Sequence, residues 1–84
     1  MADTGDWPLR REMGQRIATT RKLLGWSQAK LEERCGVSKR TVLRAENGQC
    51  FMSTEALLRV AAALSVEPGS LLPDLHEIRK ARLV

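Results

Sequence analysis

Apolar and polar positions along this chain follow a helical period, and no stretch reads as a strand, an internal repeat or a low-complexity segment. From about Arg11 the apolar or small positions Met13, Ile17, Thr20 and Leu24 recur every three or four residues, with Gly25 after them as a left-handed terminator. A first helix is therefore expected over 11–24. Ser27 is a good N-cap, Ala29, Leu31 and Cys35 follow it, and Gly36 stops the pattern, which predicts a second helix over 28–35. Gly36-Val37-Ser38 supplies a residue that can turn sharply, an apolar plug and another N-cap, so two short helices should meet at a steep angle. The third is expected from Lys39 to about Asn47, ended by Gly48. Ser53, Ala56, Leu57, Leu58, Val60, Ala61 and Leu64 give the longest amphipathic pattern, a fourth helix over about 54–64. Pro68 suits a first turn, and Leu71 and Leu72 supply the buried side of a short fifth helix over about 67–72. Residues 1–10, with Gly5, Pro8 and acids, lack periodicity and read as an arm in which Trp7 and Leu9 can still pack. After Pro73, residues 73–84 form a tail that is either a sixth helix or frayed. The fold class expected is all-α, with one domain over 11–72.

The third helix carries the most specific pattern. At about 100 degrees per residue, Lys39, Leu43, Arg40 and Arg44 fall within an arc of about 140 degrees, and Thr41, Val42 and Ala45 lie elsewhere on the wheel. One face is basic and the other small and apolar. A helix fits the major groove of B-DNA, where a guanidinium or ammonium reaches guanine O6 and N7, so Lys39, Arg40 and Arg44 are candidate base readers. An ordinary solvated basic face is the bland alternative. Leu43, amid the cations, is either a contact to a thymine methyl or a tolerated exposed leucine.

Composition agrees with an acidic partner without proving one. Fourteen Lys and Arg against ten Asp and Glu give a net charge of +4, and the sequence pI is near 9.7. That balance alone does not separate a nucleic-acid binder from a soluble basic domain, so the placement of charge decides. Aromatic residues make up only 4% of the chain, which leaves its core to Leu, Val, Ile and Ala. Two cysteines, Cys35 and Cys50, give neither a disulfide framework nor a Cys/His metal pattern, and suit a reduced, cytoplasmic setting. Cys35 reads as a small buried hydrophobe and the lone His76 as a surface residue. The N-terminus has the form of neither a signal peptide nor an anchor, and no apolar run approaches the length of a spanning helix. No nucleophile with a base and orienter, and no phosphate-binding glycine loop, can be assembled, so an enzyme is not expected and no cofactor or metal is called for.

The run from Met13 to Leu72 resembles the lambda-repressor-like, Cro/Xre-type helix-turn-helix family. The resemblance rests on four parts in order: Arg21-x3-Gly25-x-Ser27-Gln28, Gly36-Val37-Ser38, Glu46-Asn47-Gly48, and Leu57-x3-Ala61-x2-Leu64-x-Val66. It implies a compact five-helix bundle, transcriptional regulation, and a homodimer on a near-palindromic double-stranded site. It also implies that Gln28 contacts the DNA backbone, where an amide and the exposed N–H groups of a helix start attract phosphate. Ser27 and Ser38 are N-caps that can also face phosphate, and Asn47 either ends its helix or presents N–H groups to phosphate. Arg21 and Glu46, by the same resemblance, form a largely buried ion pair tying the first helix to the third.

Five positions depart from the family's pattern. Glu32 stands where alanine is usual, and needs either an outward path or a cation such as Lys39 or a nearby arginine. Ala45 is smaller than the usual aliphatic residue. Cys50, Phe51 and Met52 replace a basic residue, a polar one and proline; Phe51 and Met52 either cover the core or belong to a dimer patch. The rival to DNA binding is a protein-interaction module, an antitoxin or accessory subunit gripping a partner protein through the fifth helix and the tail. Arg79, Lys80 and Arg82 in that tail suit phosphate, partner or solvent alike.

Overall fold

The computed structural model describes residues 7–74, 76 and 79. Its first helix, α1, runs from Trp7 to Leu23 and so takes in residues expected to belong to the arm. Pro8 falls in the first turn, where a missing N–H breaks no intrahelical bond. Leu9 then begins a stripe at every fourth residue, Leu9, Met13, Ile17 and Arg21, all of them buried. Leu24 leaves the helix and is exposed, because Gly25 takes a positive φ of 75° and the Trp26 N–H returns to the Arg21 carbonyl at 3.1 Å. Residues 1–6 of the expected arm lie outside the described residues.

The next three helices follow the pattern of caps. Helix α2 spans Gln28–Cys35, α3 spans Lys39–Glu46 and α4 spans Thr54–Leu64. Each begins with a serine whose Oγ accepts a backbone N–H: Ser27 from Lys30, Ser38 from Thr41 and Ser53 from Ala56, at 3.0, 3.2 and 3.1 Å. Each such cap contributes about 1 kcal/mol relative to alanine. Gly36, with φ 75°, ends α2 and donates its N–H to the Glu32 carbonyl at 2.9 Å. Asn47 caps α3 rather than continuing it.

A fifth α-helix over 67–72 does not form. The chain makes a 3-10 helix, Pro68–Leu71, and Leu72 then turns to an extended conformation. Gly69 and Ser70 are weak helix formers, and Pro73 can neither donate a bond nor leave its predecessor helical. Leu71 is buried as expected, but Leu72 is exposed. The tail beyond Asp74, and with it the expected sixth helix, lies outside the described residues apart from positions 76 and 79. The described residues are otherwise all-α, with four α-helices and no strand.

One core joins these elements. Met13 and Ile17 of α1, Leu31 of α2, Val42 of α3, Val60 of α4 and Leu71 of the 3-10 helix are all fully buried. Each such side chain stabilises the fold by about 1.5–3 kcal/mol. Helix α1 packs on α3, α2 packs on α3 and α4, and the 3-10 helix lies against α4 and α1. Helices α1 and α3 approach closely at Gly14, where a Cβ would meet the carbonyl oxygens of both Ala45 and Glu46. The two helices touch backbone to backbone at that point.

Candidate nucleic-acid interface

Helix α3 turns its two faces as the wheel requires. Val42 and Ala45 are buried, Thr41 is half-buried, and Lys39, Arg40, Leu43 and Arg44 are exposed. None of the three cations forms an ion pair among the described residues. Their charge is therefore directed outward. Leu43, 40% exposed, lies among them as an uncovered apolar side chain.

Behind that face, Glu46 closes a network that spans three helices. Its carboxylate accepts from Arg21 twice, Nε to Oε2 at 2.7 Å and Nη2 to Oε1 at 2.9 Å, in a bidentate geometry. The remaining Nη1 of Arg21 donates to the Trp26 carbonyl at 2.7 Å. Side-chain exposures of 9% and 4% make this pair buried. The hydrogen bond to Glu46 raises the Arg21 pKa above its ordinary value, and its Coulombic attraction adds to that, against the opposing effect of burial. The guanidinium thus stays charged.

Gln28 also belongs to this network. Its Nε2 donates to Glu46 Oε1 at 2.9 Å, so the amide expected on a phosphate is turned toward α3. An amide nitrogen carries two protons, and one is committed to Glu46. Ser27 and Ser38 cap their helices, and the Ser38 hydroxyl further donates to Thr41 Oγ1 at 3.0 Å. Asn47 is exposed at the end of α3, its N–H bonded to the Leu43 carbonyl at 3.0 Å.

The departures from the family's pattern settle locally. Glu32 is half-buried at an open groove shared with Ala29, Glu33 and Val37, and forms no ion pair with Lys39 or any described arginine. Its carboxylate takes the outward path. Ala45 lies in the core. Met52 packs against the core, while Phe51 is 43% exposed. Cys35 is buried, its sulfur accepting the Val37 N–H at 3.4 Å, and Cys50 is half-buried. His76 is exposed, and no group of potential metal ligands occurs among the described residues. Among those residues, no helix is long and apolar enough to cross a membrane.

Two contributors to this region escaped the sequence reading. Gly14 had a signal, since glycine inside a helix costs about 1 kcal/mol relative to alanine and so often marks a close approach. The Gln28–Glu46 bond had none, because it depends on how near the start of α2 comes to the end of α3.

Comparison with known proteins agrees with this geometry. Residues 12–75 match the model of a family described as a helix-turn-helix domain. The chain is 39% identical over 66 residues to the HTH-type transcriptional regulator SinR of Bacillus subtilis, a match covering 77% of this chain and 60% of SinR. It therefore spans about three fifths of that relative's length. Among solved structures, the restriction-modification controller protein C.AhdI from Aeromonas hydrophila superposes with a TM-score of 0.72 at 33% identity, covering 75% of this chain and 96% of that one. A hypothetical transcription factor, NHTF, from Neisseria reaches a TM-score of 0.74 at 29% identity, over 95% of this chain and 90% of the other.

Proposed function

Because the chain belongs to the helix-turn-helix domain family, in its Cro/Xre-type form, we propose that it is a transcriptional regulator that binds double-stranded DNA by laying α3 in the major groove. The observation that carries this reading is the outward arc of Lys39, Arg40 and Arg44 on a helix whose opposite face is locked into the core. In this reading the three cations read base edges and Leu43 meets a thymine methyl. Gln28 offers its second amide proton to a phosphate, with Ser27, Ser38 and Asn47 beside the same backbone. Arg21 and Glu46 hold the helices that present them. The protein acts as a cytoplasmic homodimer on a near-palindromic operator, with two copies of α3 about 34 Å apart. Leu58 on α4, and Leu72 just after the 3-10 helix that packs on α4, are exposed and give a second copy apolar surface to cover.

Selection of bound sites from random duplexes tests the reading. Enrichment of a near-palindrome is the expected result. No enrichment at moderate salt moves the assignment to the rival module, which grips a partner protein through the 3-10 helix and the tail.

A further inference from the structure

We propose that Arg11, on α1, is a DNA-phosphate contact that supplies the cation missing from the loop after α3. The proposal rests on the DNA-binding reading above. Residues 47–53, Asn-Gly-Gln-Cys-Phe-Met-Ser, contain no lysine or arginine, although they leave the end of the helix that enters the groove. Gly48 nevertheless lies buried in that exit, with φ 74°. Its cover is Arg11: a Cβ at Gly48 would lie 2.9 Å from the Arg11 Cγ and 3.2 Å from its Cα. The stem of Arg11 therefore rests on the backbone that terminates α3.

Arg11 as a whole remains exposed, and it forms no ion pair among the described residues. Its neighbour Glu12 is committed to Arg16 at 2.7 Å. A guanidinium on a stem already seated loses less freedom when it binds, and its planar fork matches phosphate oxygens. It sits at the same end of α3 as the exposed Asn47, where a helix lying in the groove passes close to the duplex backbone. One phosphate there would receive its positive partner from α1 instead of from the loop.

The test measures binding of the full chain to a mixed-sequence duplex across a salt series. Arg11→Met keeps an apolar stem over Gly48 and removes the charge. It should lower the slope of log affinity against log salt by about 0.9 per bound protomer, with an unchanged melting temperature. Arg11→Lys should restore the slope. Arg59→Met removes the same charge from α4, where Arg59 is paired with Glu55 at 2.9 Å, and should leave the slope as it was. An Arg11→Met slope equal to the parent's, or an equal fall with Arg59→Met, overturns the assignment of Arg11 while leaving DNA binding intact. A parent affinity that is flat in salt removes the DNA reading itself.

Discussion

The carboxylate of Glu46 holds one side chain from each of the two preceding helices, Arg21 and Gln28. The Arg21 half of this arrangement was implied by the family resemblance; the Gln28 half emerges only from the packing of α2 on α3. Glu46→Gln strands a buried guanidinium, a loss of about 3–5 kcal/mol. Both the melting temperature and the DNA affinity should fall, and a variant that keeps both would remove the structural role of the pair. The Arg21 contribution is also predictable with pH. Its folded pKa is raised, so the stabilisation is fully present below the unfolded value and is lost only as pH rises through the folded one. Stability carried by this group should therefore be level across the neutral range and fall only in strong alkali, as urea unfolding at a series of pH values can check. Leu43→Ala should weaken binding chiefly at sites with thymine at one position, and a uniform loss over all sequences would argue for a merely exposed leucine.

Among the elements, those with chemical stops were the most readable. Helices α2 and α4 fall where Ser27, Gly36 and Ser53 place them, since a hydroxyl cap and a left-handed glycine act within a few residues of the chain. Both ends of α1 were less legible, because neither Pro8 nor Leu24 reveals by itself whether a neighbouring element will cover it. The fifth element stands where expected, but its type was not legible: two adjacent leucines suggest a buried face, while weak helix formers at Gly69 and Ser70 with Pro73 after them give a 3-10 turn that leaves Leu72 outside it. Helix α1 owes its position to Gly14. Gly14→Ala would drive a methyl into the carbonyls of Ala45 and Glu46, a strain costing about 1–3 kcal/mol or more despite alanine's better helix propensity. A urea midpoint equal to the parent's would show that α1 and α3 can separate without cost.

For the molecule as a whole, the net charge of +4 matters less than where it is placed. Replacing Lys39, Arg40 or Arg44 by alanine should relax preference at one base position by about 1–3 kcal/mol, measured by competition between selected and single-mismatch duplexes. A loss shared equally by every duplex would instead assign that side chain to phosphate. The outward direction of these side chains was readable from helical periodicity; the location of Arg11 was not, because it depends on α1 reaching Gly48 across the fold. The backbone contact at Gly14 carries one more implication, for how such a protein can change its target. The contact at Gly14 sets how closely α3 lies on α1, so under the proposed function the four side chains on its outer side are lettering on a fixed plate. They can be exchanged for another set, and the domain redirected to another site, without remaking the fold that presents them.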